Sequence, residues 1–234
     1  MPRLSLSLLG SFQAYLDKQA ITGFQSDKAR ALLVYLTVEA EQPHRRDRLA
    51  GLLWPDWPDA NARANLRHAL NNLRSILRDR QATPSFFLSD WQTIQFNLAS
   101  DYTLDVADFR RGMTGLGALE RGQADEGVLK QVQQAVGRYT GPFLSGFFLE
   151  DCAEFEEWSL LTRERLQQRT LAALRALTTH FRQVGAYGQA LGYARQWVEI
   201  DALQEEAHCQ LMRLLALAGQ RSAAMLQFES CRQL

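Results

Sequence analysis

PHRRDRLAGLLWPDWPDANARANLRHALNNLRSILRD, from Pro43 to Asp79, is the stretch on which the reading of this chain turns. Apolar side chains recur at helical spacing on both sides of Trp54-Pro55-Asp56-Trp57-Pro58-Asp59, a connection that two prolines keep out of any helix. The pattern predicts one helix over about His44–Leu53 and another over residues 60–79, with Asp59 as its N-cap because a short acceptor there can take the free amides of the first turn. On a wheel of about 100° per residue, Leu66, Leu70, Leu73 and Leu77 form one stripe. Arg63, Arg67, Arg74 and Arg78 form a flank about 60 to 120° away, and Ala64, His68, Asn71, Asn72 and Ser75 fall opposite the leucines. One face is made for a core. The other carries small and hydrogen-bonding groups edged by guanidinium.

Upstream, RLSLSLL (3–9) alternates with period two, so Leu4, Leu6 and Leu8 share the face of a half-buried strand. Phe12–Leu16 reads as a second strand, Asp17-Lys18 as a turn and Ile21–Phe24 as a short third strand. Ser26 is a good N-cap for a helix burying Ala29, Leu32, Leu33, Leu36 and Ala40 and stopping before Pro43. Downstream, Phe86–Leu88 and Thr93–Phe96 flank a turn at Ser89-Asp90. A hairpin directly after a basic helix makes a winged helix-turn-helix, with Trp91 and Gln92 near the tip of the wing.

From about Ala99 the character changes. Residues 101–112 read as a strand end and a short helix, the glycine-rich segment 115–127 as a loop, and residues 128–139 as a helix. FLSGFFLEDCAEFEEW is aromatic with an acidic cluster, Glu150, Asp151, Glu154, Glu156 and Glu157, read as a solvated helix start or a docking face. A long helix is expected from about Ala153 to Val184. At an offset of 34 residues Ala173 matches Ala207, Leu177 matches Leu211, Gly185 matches Gly219 and Ala190 matches Ala224. Thirty-four is the period of tetratricopeptide helix pairs, which need neighbours or a cap to cover their faces. His208 stands where Leu174 would repeat, and Ala202 where a proline is expected. The second pair ends at Leu234, so the chain is expected to be the front of a longer protein.

The fold class is therefore α+β: a winged helix-turn-helix over residues 1–98, then an all-α tetratricopeptide-like domain over 99–234. Net charge is zero, but residues 1–98 carry 12 Lys+Arg against 9 Asp+Glu and residues 99–234 carry 14 against 17. A mildly basic half joined to a mildly acidic one fits a nucleic-acid binder coupled to a partner-binding part. Three distant cysteines, Cys152, Cys209 and Cys231, form neither a metal spacing nor a disulfide framework and fit a reducing cytoplasm. No apolar run is long enough to span a membrane. There is no phosphate-binding glycine loop, no H-E-x-x-H and no nucleophile motif, so neither enzyme activity, nor a metal, nor a cofactor is expected.

Arginine on the 60–79 helix suits the task because its planar fork can donate twice to a guanine edge or grip a phosphate, while asparagine can pair with adenine. Arg45 and Arg46, at the opening of the preceding helix, are candidate phosphate clamps that fix register without reading bases.

LLWPDWPDANARANLRHALNNLRSIL resembles the winged-helix segment of SARP-type bacterial transcriptional regulators, whose DNA-binding domain is of the OmpR type. YTLDVADF, GPFLSGFFLEDCAEFEEW and the helix pairs resemble the bacterial transcriptional activator domain that follows it. The resemblance implies a sheet, three helices and a wing ahead of a helical repeat domain. It also implies binding to double-stranded promoter DNA, often as a homodimer on direct repeats, and contact with RNA polymerase. By matching position, Arg63, Asn65, Arg67, His68, Asn71, Arg74 and Arg78 lie on or beside the recognition helix, with Gln92 on the wing. The competing reading is a protein-interaction or signalling module acting through the helical repeats.

Overall fold

The computed structural model describes residues 2–233. Strands β1 (Leu4–Ser7), β2 (Gln13–Leu16) and β3 (Gln19–Ala20) open the chain. β1 and β2 pair antiparallel with Leu4 opposite Leu16, and β7 (Tyr102–Leu104) joins β1 from the other side in parallel, giving the order β3-β2-β1-β7. Leu4, Leu6 and Leu8 are all buried, as the alternation required. The third strand lies earlier than Ile21–Phe24, because the Asp17-Lys18 turn is tight: both residues have positive φ, and β3 pairs at once, Leu16 with Gln19. Asp105, the residue after β7, fastens the exit of β1. Its carboxylate accepts from the amides of Leu8 and Leu9 at 2.7 and 2.8 Å.

Helix α1 (Asp27–Val38) starts where the cap predicted, the Ser26 hydroxyl accepting from the Ala29 amide. After it the chain departs from the sequence reading. His44–Arg45 is not helical but a two-residue strand, β4, paired antiparallel with β6 (Thr93–Phe96), whose other neighbour is β5 (Phe87–Ser89). Helix α2 therefore begins at Arg46 and runs to Leu53, with Arg45 as its N-cap residue. Helix α3 spans Asp59–Ile76. Pro58 occupies the N-cap position and Asp59 the first turn, where its charge still complements the helix dipole. Leu66, Leu70, Leu73 and Leu77 are buried against the body, and Phe86, Ile94 and Phe96 close the core under the wing.

Two compact units emerge from the packing: residues 1–108 with 140–163, and residues 109–139 with 164–234. The chain thus passes between them three times. Segment 140–163 belongs to the winged-helix unit through specific bonds. The Leu144 and Ser145 amides donate to the carbonyls of Leu8 and Gly10 at 2.9 and 2.8 Å. The Trp158 indole donates to Glu39 at 3.1 Å and meets Tyr35 edge-on, ring centres 4.9 Å apart. The acidic cluster is largely spent here. Asp151 pairs with Lys28 at 2.6 Å, Glu154 with Arg48 at 2.9 Å, and Glu156 accepts from the Leu149 amide at 2.8 Å.

The second unit contains α4 (Asp105–Gly112) from Phe109 onward, α5 (Leu116–Glu120), α6 (Glu126–Arg138), the later part of α7 (Ala153–Gln183), α8 (Tyr187–Ile200), α9 (Glu205–Leu217) and α10 (Arg221–Gln233). Segment 115–127, read as a loop, holds the short helix α5; Gly115 serves packing, since a Cβ there would lie 2.6 Å from Val128. The 34-residue repeat appears as two helix pairs, α7–α8 and α9–α10, bent at Gly185 and Gly219 with nearly equal φ of 75° and 76°. Only glycine adopts that backbone without strain. His208 is buried in place of an apolar residue, because both ring nitrogens find partners: the Ala202 carbonyl at 2.8 Å and the Gln227 side chain at 2.6 Å.

Candidate nucleic-acid interface

The helix-turn-helix and the wing surround an open cleft of about 430 Å³, lined by Arg45, Arg46 and Asp47 from the start of α2, Arg63 and Arg67 from α3, and Asp90, Trp91 and Gln92 from the wing, with Leu66 at its floor. The β4–β6 pairing, invisible to local sequence, builds it. That pairing brings Arg45 opposite Thr93, and the Arg46 amide donates to the Gln92 carbonyl at 2.9 Å.

The candidate arginines divide by what they do inside the protein. Arg46 donates twice to the Asp90 carbonyl, from Nε at 3.0 Å and Nη2 at 2.9 Å, and so pins the wing tip to α2. Burial first, then the nearby Arg74 cation, hold Arg46 below the ordinary arginine value, with the Asp90 carboxylate opposing them. Two guanidinium groups held together in this way favour an anion beside them. Arg74 donates to the Ser89 hydroxyl and stands 3.5 Å from the Asp79 carboxylate. Arg63 pairs with Asp47 at 2.8 Å, both exposed. Arg45, Arg67, His68, Asn71, Arg78 and Gln92 are exposed, and among the described residues their side chains make no hydrogen bond or ion pair.

Two asparagines need separating from these. Asn72 is 8% exposed, not outward-facing. Its Oδ1 accepts from the Gln25 amide at 3.2 Å and its Nδ2 donates to the Gly23 carbonyl at 3.0 Å, fastening the strand-to-helix loop onto α3. Asn65 is half-buried and lies on the same flank as Asn72, about 160° around the helix from Arg67. The outward face therefore runs from Arg63 and Arg67 through Asn71 to His68. Arg78 sits just beyond α3 with a left-handed φ of 52°.

The wing is held by two carboxylates that sequence reading passed over. Asp79 is buried and accepts from the Phe86 and Phe87 amides at 2.6 and 3.3 Å. Asp90 closes the tip: one oxygen takes the Gln92 and Thr93 amides at 2.7 and 2.6 Å, the other the Thr93 hydroxyl at 3.0 Å. The Thr93 amide, then the Gln92 amide, hold its carboxyl below the usual aspartate value, partly offset by desolvation. The D-x-x-T spacing around a predicted turn was the available signal for Asp90. Among the described residues no cluster of three or more His, Cys, Asp or Glu could hold a metal, and no helix is long and apolar enough to cross a membrane.

The sequence profile of the bacterial transcriptional activator domain matches residues 104–234, more than half of the chain. The chain belongs to that family. A winged helix ahead of a bacterial transcriptional activator domain is the SARP-type arrangement that LLWPDWPDANARANLRHALNNLRSIL resembles. The family is one of transcriptional regulators, not of enzymes. Similar curated proteins are the transcriptional regulatory protein EmbR of Mycobacterium bovis and its namesake in Mycobacterium tuberculosis, each 28% identical over 143 residues, covering 61% of this chain and 36% of the relative. The chain thus spans little more than a third of the length of these relatives. A solved structure of Mycobacterium tuberculosis EmbR in complex with a low-affinity phosphopeptide matches with a TM-score of 0.73 at 21% identity, covering all of this chain and 60% of the other. At that identity the match establishes a shared fold. Within the activator-domain match, segments 104–108 and 140–163 are the parts that pack with the winged-helix unit.

Proposed function

We propose that this regulator binds promoter DNA in a sequence-specific manner and acts as an activator. A DNA-binding domain over residues 1–98 would position RNA polymerase contacts made by the activator domain over 99–234, with two protomers on direct repeats. Helix α3 enters the major groove. Arg67, Asn71 and His68 meet base edges, and Arg45, Arg63 and Arg78 meet phosphates. Arg46 and Arg74 act mainly by fixing the wing. Asn65 is on the wrong flank to reach a base. The observation that carries the reading is the cleft in which Arg45, Arg46, Arg63 and Arg67 converge beside the exposed side of α3.

A salt series tests it. Each phosphate contact releases counterions, so the slope of log K against log salt counts them at about 0.9 per contact. Arg45→Ala with Arg67→Ala is expected to make the slope shallower by about one through the lost phosphate contact of Arg45, to weaken binding further through the lost base contact of Arg67, and to leave the fold intact, since both side chains are exposed. Unchanged binding across the salt range would sink the assignment of this face. One observation favours the second reading, a protein-interaction module. Leu203, just before the last helix pair, and Met225, Leu226 and Phe228 on α10 leave apolar surface exposed. Capture of a protein partner by the chain, with no DNA shift at low salt, would favour it.

A further inference from the structure

The wing carries no cation of its own. SFFLSDWQTIQFN, residues 85–97, contains no lysine or arginine and one acid, Asp90. What its tip presents is Trp91, 83% exposed. An indole left that open in water is the costliest apolar group a loop can carry outward. It is not there by looseness. The Asp90 carboxylate holds the amides on the far side of Trp91, Arg46 holds the Asp90 carbonyl from α2, and the Asp90 amide donates to the Thr93 carbonyl at 3.1 Å. The backbone on either side of the indole is fixed before any partner arrives, so little ordering cost remains to be met on contact. Trp91 also lines the same cleft as Arg45, Arg46, Arg63 and Arg67. Within it Arg63 is paired with Asp47 and Arg46 with the Asp90 carbonyl, which leaves the exposed guanidinium groups of Arg45 and Arg67 to attract an anion beside Trp91.

We propose that Trp91 is an apolar contact to duplex DNA, its indole packing on the sugars and groove edge beside the groove that α3 enters. The inference rests on the DNA-binding reading above. Its physical content is that the wing adds affinity without displacing counterions. Apolar side chains set against sugars or wedged at base steps stabilise protein–DNA complexes through contact and local deformation, and that term is independent of salt. The arginines of α2 and α3 supply the salt-dependent part.

The test uses the full 234-residue chain and a fluorescein-labelled duplex selected by the wild-type protein from a random-sequence pool. Trp91→Ala is expected to weaken binding on the order of tenfold at every salt concentration with the salt slope unchanged. Trp91→Phe is expected to keep most of the affinity, because a flat apolar face remains. Arg45→Ala, run beside them, is expected to make the slope shallower by about one. Wild-type tryptophan emission is expected to change on DNA addition and, in Trp91→Phe, to lose that change while binding persists. Wild-type affinity in Trp91→Ala overturns the proposal. So does a shallower slope in that variant, which would mean that the indole merely arranges the arginines. Unchanged affinity for one site with lost cooperativity at paired sites would assign the indole to contact between protomers and overturn it as well. If the wild-type chain retains no duplex from the pool even at low salt, the DNA-binding reading itself falls, and this inference with it.

Discussion

Asp79 offers the sharpest test of how the wing is built. The residue is 5% exposed and sits just after the left-handed Arg78, where the chain leaves α3. Its Oδ1 accepts from the Phe86 amide at 2.6 Å and the Phe87 amide at 3.3 Å, and its Oδ2 lies 3.5 Å from Arg74 Nε. Asp79→Ala removes all three contacts and leaves two buried amides without an acceptor. A hydrogen bond to a charged group contributes about 1.5 to 3 kcal/mol. The Phe86 bond belongs near the top of that range and the longer Phe87 bond below its foot. The Arg74 pair is partly solvated, so it adds less than about 1 kcal/mol. The expected loss is about 3 to 4 kcal/mol, a shift of a few hundredfold or more in the folding equilibrium. Asp79→Asn keeps a neutral oxygen at the Oδ1 position and is expected to lose only about 1 to 2 kcal/mol. Urea unfolding gives the stabilities, and hydrogen exchange at the Phe86 and Phe87 amides gives the local effect. Wild-type stability in Asp79→Ala, within about 0.5 kcal/mol, or equal losses in the two variants, would refute the reasoning.

Adjacent asparagines are expected to separate stability from binding: Asn72→Ala loses about 1 to 3 kcal/mol through the orphaned Gln25 amide and Gly23 carbonyl, whereas Asn71→Ala leaves the urea midpoint unchanged and weakens DNA binding in the mobility shift. Burial raises the Cys152 thiol to about 11, and its hydrogen points at the Leu53 carbonyl at 3.2 Å. At pH 8 about one molecule in a thousand carries that thiolate, so a colorimetric thiol reagent is expected to label exposed Cys209 in the native protein and Cys152 only after denaturation. Asp105 titrates above the ordinary 3.8 because burial outweighs the amides of Leu9, Leu8 and Val106. For a raised carboxyl the protonated form is favoured in the folded state. Its stabilising contribution is full below 3.8 and fades as pH rises through the folded value. The stability of wild type relative to Asp105→Asn is therefore expected to fall across that window in a pH series of melts, and a flat difference would contradict the assignment.

Features with a local cause could be read from the sequence. The alternation of Leu4, Leu6 and Leu8, the Ser26 cap, the leucine stripe of α3, the wing hairpin and the 34-residue repeat each arise from a few neighbouring residues. Features caused by distant partners could not. His44-Arg45 has no strand signal of its own and becomes β4 only because β6 offers an edge. Asn71 and Asn72 both fell opposite the leucines on the wheel, yet the loop at Gly23–Gln25 lies against one and not the other. The acidic cluster of residues 150–157 looked like a free surface because Lys28 and Arg48, its partners, are more than a hundred residues away. The same holds within the candidate interface. Sequence placed Arg46 among the phosphate clamps and Arg74 with Arg67 on one flank, but the fold gives Arg46 and Arg74 to the wing and leaves Arg67 open to a ligand.

The central claim, that the outward face of α3 reads duplex DNA, is tested most directly by selection from a random-sequence pool with the whole chain, followed by sequencing. The expected result is one enriched motif, occurring as direct repeats about one helical turn apart, roughly 10 to 11 base pairs, whose preferred bases change when Asn71 or Arg67 is replaced by alanine. A pool that stays unenriched, or a motif that neither substitution alters, would contradict the account.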